Sequence, residues 1–369
     1  MERNYFSMII VGIPTLNEAD NISKLVEKID KYSLELGENI VIINSDSNSD
    51  DGTSKIFLKT KTFNSKISLT SIQRGKGYNV RNIFQYSLAH FPNFDGIILI
   101  DGDVISLDKT WLKKMYLSIR EGNDLVVPNY ARKFFEGNAT NHFIYPILLK
   151  LFKKDVPYQC ISGDLGFSKK LVKELIYNCN WHSFSKGYGI DIFLTLTALL
   201  KSYKIKEIDL ESKIHKRSFE KIEKIFLEVS QSFFETLTDN FSYIDRDKYH
   251  LSFESHTKRF VDSNDKPSID EIEKLRTRAL LLLDIKEKYP QGIRPTVWHK
   301  KLAESLKNIP KFSSNELARS LLPYYLLRVY NYLKFNNFGS VSFDLETTTQ
   351  NIKGSCCNKE KHFNLYNSH

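Results

Sequence analysis

Asp101-Gly102-Asp103 closes the apolar run Gly96-Ile97-Ile98-Leu99-Ile100, so two carboxylates stand two residues apart at the carboxyl end of a buried strand. Ionised carboxylates so close repel each other, and a divalent cation that takes oxygen ligands relieves the repulsion. A solvated turn is the other use of such a tripeptide, and the remaining motifs decide between them. Pro14-Thr15-Leu16-Asn17-Glu18 follows the first apolar run and Asp46-Ser47-Asn48-Ser49-Asp50-Asp51-Gly52-Thr53 follows the second. Each offers carboxylates that suit the hydroxyl and N–H donors of a ribose or a base, or else a pair of capped turns. Arg74-Gly75-Lys76-Gly77 precedes a helical stretch, where close backbone approach and a cation serve a phosphate, or where a plain surface loop runs. Gly187-Tyr188-Gly189-Ile190-Asp191 puts Asp191 at the start of an apolar helix, a position the helix dipole alone would favour. His215 lies in Lys213-Ile214-His215-Lys216-Arg217, where a neutral imidazole can complete a site of carboxylate and phosphate oxygens and the flanking cations suit a phosphate-rich ligand. A lone histidine is otherwise structural or exposed.

The pattern along the chain sets these loops at strand ends. Apolar runs predict strands at 8–13, 40–43, 67–72, 96–100 and 205–210, and apolar residues at helical spacing predict helices at 21–36 and 79–89. Alternation of this kind specifies an α/β fold: a mainly parallel, Rossmann-like sheet flanked by helices. Beyond His215 the pattern turns helical, with helices predicted at 219–237, 269–287, 296–306 and 315–332. Ser268 with Glu271 and Ser313 with Glu316 have the spacing of capping boxes, and Pro323 predicts a kink in the last helix. Three regions follow: a catalytic domain over 1–218, a helical region over 219–335, and a polar, aperiodic tail over 336–369 read as mobile.

The 369 residues, 41% of them hydrophobic, are enough for a large domain plus a smaller one. A net charge of +9 favours anionic partners, but the lysines are dispersed and no zinc-finger, RNA-recognition or basic-zipper pattern occurs, which argues against nucleic acid. Cys160, Cys179, Cys356 and Cys357 lack metal-ligand spacing and suggest a reducing compartment without disulfides. Neither a secretory leader nor an apolar stretch of bilayer length is evident, so a cytoplasmic protein with no transmembrane segment is expected.

In their order, PTLNE, DSNSDDGT, GKG, DGD, Gln159-Cys160-Ile161-Ser162-Gly163-Asp164, GYGID and the late His215 resemble the nucleotide-sugar glycosyltransferases of the GT-A fold. Among the family-2-like members they look most like the glucosyl-3-phosphoglycerate and mannosylglycerate synthases. The resemblance runs from about residue 8 to residue 218, and Arg328-Val329-Tyr330-Asn331-Tyr332 also resembles the helical end of the mannosylglycerate enzymes. It implies that Pro14, Glu18 and Asp46 hold the nucleoside with Lys76 nearby, and that Asp101 faces the ribose or a metal-bound water. It further implies that Asp103 and His215 bind Mg²⁺ or Mn²⁺, that Gly163 and Asp164 line the donor sugar, and that Asp191 positions the acceptor hydroxyl.

One stretch departs from the synthases. Where the phosphoglycerate enzymes carry Gly-Gly-Arg-Val-Thr to grip the acceptor phosphate, this chain has Glu136-Gly137-Asn138-Ala139-Thr140. Asn138 has neither the charge nor the bidentate fork of an arginine. Arg132 or Lys133 would instead clamp a carboxylate, with Thr140 hydrogen-bonding to it. The resemblance thus implies transfer of glucose or mannose from a UDP- or GDP-hexose to glycerate, 3-phosphoglycerate or a similar small hydroxy acid, with retention of configuration. It also implies a homodimer formed through the helical end. The alternative is transfer to a glycolipid or cell-surface glycan, with Tyr324, Tyr325, Tyr330 and Tyr332 docked on a membrane.

Overall fold

The computed structural model describes residues 8–152, 155–216, 219–240, 250–255, 260–261, 266–284 and 293–335. The tail over 336–369, with Cys356 and Cys357, lies outside the described residues. Strands β1 (Met8–Thr15), β2 (Asn39–Asp46), β3 (Ser65–Thr70) and β4 (Gly96–Leu99) alternate with helices α1 (Ile22–Glu35), α2 (Thr53–Lys59) and α3 (Lys76–His90). Next come α4 (Lys109–Arg120), β5 (Leu125–Tyr130), the short β6 (Arg132–Lys133), a π-helical turn (Thr140–Ile144) and α5 (Tyr145–Phe152). The α/β part ends with β7 (Gly166–Ser168), α6 (Lys169–Tyr177), α7 (Ile190–Leu200) and β8 (Lys204–Leu210). A strand β9 (His250–Phe253) completes an eight-stranded sheet in the order β3-β2-β1-β4-β7-β5-β8-β9, parallel except for β7. The chain leaves β1 in one direction to β2 and β3 and later returns on its other side to β4. That reversal opens a crevice at the carboxyl ends of β1, β2 and β4.

Strand β1 has no polar face, as a parallel strand covered on both sides requires. Ile9, Val11 and Ile13 pack with Ile22, Leu25, Val26 and Ile29 of α1 and with Trp111, Leu112 and Met115 of α4. Ile10 belongs to the other layer, with Val80, Ile83 and Phe84 of α3, and that layer continues into the carboxyl-terminal helices. Helix α4, which the sequence reading passed over, begins where the Asp108 carboxylate accepts from the Trp111 amide. The predicted strand at 67–72 is displaced. β3 ends at Thr70, and Ile72 is 95% exposed in the loop beyond it. Helix α3 starts at Lys76 rather than Asn79, so the Gly-Lys-Gly segment forms its first turn.

The helices beyond His215 are α8 (Ile222–Asp239), α9 (Ile269–Leu282), α10 (Pro295–Lys307) and α11 (Ser314–Phe335). The region is not purely helical, because it supplies β9 to the main sheet and β10 (Phe260–Val261) as a partner for β6. Both expected capping boxes form. Ser268 and Glu271 exchange side-chain and backbone bonds, as do Ser313 and Glu316. Helix α11 runs through Pro323 without interruption of its helical assignment. Its Tyr325, Tyr330 and Tyr332 are buried rather than displayed, which removes them as a membrane-docking surface. Tyr325 stacks on Phe226 of α8 with ring centroids 4.0 Å apart, and Tyr332 meets His142 edge-on. Aromatic rings at helical spacing have gone to the core, where they bury the most area. No helix among the described residues is long and apolar enough to cross a membrane.

Candidate active site

At the end of β4 the backbone N–H of Asp101 donates to Asp164 Oδ1 at 2.7 Å, which brings the 162–164 loop onto the Asp-Gly-Asp turn. Gly163, at φ +91°, permits this contact: a Cβ there would lie 2.0 Å from Asp101 Oδ2. Two lysines serve the carboxylates gathered at this point. Lys76 Nζ lies 2.8 Å from Asp101 Oδ1, 3.1 Å from Asp191 Oδ1 and 3.3 Å from the Gly163 carbonyl. Lys213 Nζ lies 3.0 Å from Asp101 Oδ2, 2.5 Å from Asp164 Oδ2 and 3.1 Å from the Ser162 carbonyl. The Tyr130 hydroxyl also donates to Asp164 Oδ2, at 2.8 Å. Lys76 reaches Asp191 because the first turn of α3 packs on the 183–187 segment, so closely that a Cβ on Gly77 would lie 2.0 Å from the Ser185 carbonyl.

The electrostatics separate these carboxylates. Burial opposes ionisation of Asp101, but Lys213 and Lys76 outweigh it and hold its carboxyl well below the usual range. Asp191 is pushed up by burial, which Lys76 only partly offsets. Asp103 is pushed up by burial and then by the charge of Asp101, with Lys213 and His215 pulling the other way. Burial would lower both lysines, yet the surrounding aspartates raise them, so they stay charged. Four carboxylates against two ammonium groups leave two negative charges, and Asp103 is the carboxylate of the set with no ammonium bound to it. That balance suits one divalent cation.

Asp103 lies within the electrostatic reach of His215. The link is structural as well: the Ile105 amide donates to the Ile214 carbonyl at 2.9 Å, and the Ile214 amide donates to Ser106 Oγ at 2.9 Å. No group of three His, Cys, Asp or Glu side chains among the described residues forms a metal cage. A carboxylate and an imidazole that need further oxygens from a diphosphate and water fit Mg²⁺ or Mn²⁺, which are held that way at phosphate sites. The donor set therefore fits the implied ion.

The other expected residues divide into two groups. Asp46 is 3% exposed, and its carboxylate accepts from the hydroxyls of Thr15, Ser49 and Ser54 and from the Ser49 amide, so it organises its own loop. Pro14 is the penultimate residue of β1, with its carbonyl beside Gly102. Glu18 is pushed up by burial and pairs with Lys216 at 2.7 Å, and Lys216 also reaches Asp20 and the Asn17 carbonyl. Both described lysines beside His215 are thus already bound to carboxylates. Lys213 serves Asp101 and Asp164, Lys216 serves the Pro14–Asp20 loop, and Arg217 lies outside the described residues. Lys213 and Tyr130 are the site residues that the sequence reading missed. Only a charge balance, asking which cations neutralise a buried acidic cluster, would have pointed to the lysine.

A cavity of about 20 Å³ lies beside this cluster, walled by Asn129, Arg132, Thr140, Asn141, Tyr158, Gln159 and Phe260. Arg132 Nε donates to Gln159 Oε1 at 2.6 Å, and Gln159 Nε2 in turn donates to the Tyr130 carbonyl and to Asn129 Oδ1. Burial lowers the affinity of Arg132 for its proton, the penalty a guanidinium pays when it is withdrawn from water. Lys133 is not among the walls and pairs with Glu136 at 3.7 Å. Asn138, in the place of the expected arginine, caps the Phe135 carbonyl.

Residues 10–176 match the family described as glycosyl transferase family 2. Among solved structures, glucosyl-3-phosphoglycerate synthase from Mycobacterium tuberculosis with Mg²⁺ and uridine diphosphate is similar with a TM-score of 0.51 and 22% identity, over 62% of this chain and 79% of that one. The same synthase with Mn²⁺, uridine diphosphate and phosphoglyceric acid gives 0.49 and 20%, over 62% and 78%. At such identity the likeness is one of fold. No curated protein matches the chain. With the strand order and the matched segment in agreement, residues 10–176 are similar to glycosyl transferase family 2 on a GT-A fold, and the chain is a glycosyltransferase.

Proposed function

We propose that the chain moves glucose or mannose from a UDP- or GDP-hexose onto a small hydroxy acid of the glycerate or 3-phosphoglycerate kind, with retention of configuration. The observation that carries the acceptor class is Arg132, a half-buried guanidinium in the wall of a small cavity beside the Asp101–Asp164 cluster. That enclosure has room for little more than a carboxylate group, which would satisfy the guanidinium fork with Thr140 as a further donor, the rest of the acid lying outside it. The mycobacterial synthase whose fold this chain shares has been solved with phosphoglyceric acid, which agrees in class.

In this reading Pro14, Glu18 and Asp46 shape the nucleoside site, and Gly163 and Asp164 line the hexose. Asp103 and His215 would hold Mg²⁺ or Mn²⁺, which when bound neutralises charge that builds on the departing diphosphate. Lys76 fixes Asp191 and Asp101 relative to each other, so that Asp191 meets the acceptor hydroxyl in one orientation. Proximity within an enclosed, pre-ordered site supplies the rest of the rate. A cytoplasmic, homodimeric enzyme is the accompanying expectation.

The test is turnover of UDP- and GDP-linked glucose and mannose, with Mn²⁺ or Mg²⁺, against glycerate and 3-phosphoglycerate. Transfer to at least one acid is expected. Neither transfer nor donor hydrolysis across that panel would remove the reading.

A further inference from the structure

Lys213 is the most enclosed cation of the cleft. Its side chain is 5% exposed, and its three N–H donors are all taken, by Asp101, Asp164 and the Ser162 carbonyl. It stands two residues before His215 on a segment tied to the residues that follow Asp103. A lysine so placed cannot reach out to a ligand without abandoning two buried carboxylates, and each of those is costly to leave alone. Its charge is therefore a fixed part of the site. That charge lies close enough to Asp103 to act on it, and so repels any cation brought to the Asp103–His215 pair.

We infer that Lys213 is an internal counter-ion that keeps the empty Asp103–His215 pair a poor cation site, and so makes the divalent ion and the nucleoside diphosphate bind together. With Lys76 it reduces the charge of the four-aspartate cluster by half, and the pair by itself supplies too few ligands for tight binding. A diphosphate adds both the missing oxygens and the missing negative charge. By linkage, the ion must then strengthen nucleotide binding by the factor with which the nucleotide strengthens the ion's. Lys213 is thus a positioning residue: it orders Asp101 and Asp164 and sets the field at the ion's place without touching the reacting atoms. This rests on the nucleoside-diphosphate reading of the cleft, but its first measurement needs no nucleotide.

The experiment is titration of the full chain with Mn²⁺ alone, read by the loss of the free-ion electron paramagnetic resonance signal at mildly alkaline pH, and then again with UDP or GDP present. The wild-type protein should bind Mn²⁺ weakly alone and at least about tenfold more tightly with nucleotide. Lys213→Met keeps the length of the side chain and removes the charge. It should bind Mn²⁺ alone about tenfold more tightly than wild type, the order of effect that a unit charge a few ångströms away has in a half-buried site. Its gain on adding nucleotide should shrink in step. Lys213→Arg keeps the charge and should stay within about twofold of wild type. A merely structural lysine would give the opposite sign, since a loosened site binds the ion less well.

Mn²⁺ affinity in Lys213→Met equal to or weaker than that of wild type overturns the inference. So does a wild-type protein that binds UDP or GDP yet holds Mn²⁺ no more tightly with the nucleotide than without it, a measurement that stands even if the methionine variant fails to fold. Tighter bare Mn²⁺ binding in Lys213→Met, with no binding of UDP or GDP by either protein, supports the counter-ion and overturns the donor assignment instead.

Discussion

Around Asp164 the chain buries charge, while around Trp298 it buries aromatic rings. In the first region Asp101, Asp164 and Asp191 are held by Lys76 and Lys213 at hydrogen-bond distance, with the loop drawn in by a glycine that no other residue could replace. In the second, Trp298 of α10 is 1% exposed, donates its indole N–H to the His142 carbonyl and packs near Tyr325, which stacks on Phe226. Burying ion pairs contributes little net stability because desolvation offsets the attraction, whereas burying aromatic surface contributes several kcal/mol per ring. The cleft is therefore built for field and position. The helical region behind it supplies the stability that such a cleft lacks.

If that division holds, substitutions in the two regions should act on different observables. Asp103→Asn is expected to have the largest catalytic effect, lowering kcat/KM by about a thousandfold, the scale of losing a main electrostatic stabiliser. It should leave Tm unchanged or slightly higher, because the carboxylate it removes is disfavoured by burial and by Asp101. A marked fall in Tm would break the comparison. Trp298→Ala should do the reverse, costing about 3–5 kcal/mol in chemical denaturation while leaving kcat within a few-fold below the melting range. Arg132→Lys removes the fork and its bond to Gln159, and should raise the acceptor KM by about ten- to a hundredfold without changing donor hydrolysis.

The smallest expected effect is on pH. Burial raises the Asp191 carboxyl above its ordinary value of 3.8, so as pH falls it takes up a proton while an exposed aspartate is still ionised. The acid limb of kcat/KM should therefore lie above 3.8 and follow Asp191. The stability linked to the same group has the opposite sign. A raised folded value contributes stability below 3.8 that is lost as pH rises through it, so activity and this term cross. A limb at the ordinary aspartate value would show that Asp191 is not the group observed.

Much of this was legible in the residues. The apolar runs that became β1, β2 and β4 were visible because a strand covered on both faces has no polar alternation, and their ends gave the places of Pro14, Asp46 and Asp101. The capping boxes at Ser268 and Ser313 were visible because their partners are three residues away. Short or irregular pieces were not. The three-residue β7 is too brief to show a period, and β9 and β10 lie in a region whose helices dominate the pattern. The tyrosines of α11 were ambiguous for another reason, since a ring that can face a membrane can equally fill a core, and only Phe226 and His142 decided it.

Residue types and local spacing determined that carboxylates would stand at strand ends, that a lysine would stand just before a helix, and that a histidine would follow β8, since each is a property of a few consecutive residues. Tertiary structure alone decided which charge meets which. Lys76 meets Asp191 across 115 positions and Lys213 meets Asp101 across 112, while Lys133, beside Arg132 in sequence, is left out of the cavity that Arg132 walls. The unit charges of lysine and aspartate are the same for every such pair in the chain. Burial, which the fold distributes and no short stretch of sequence encodes, is what selects the few that matter.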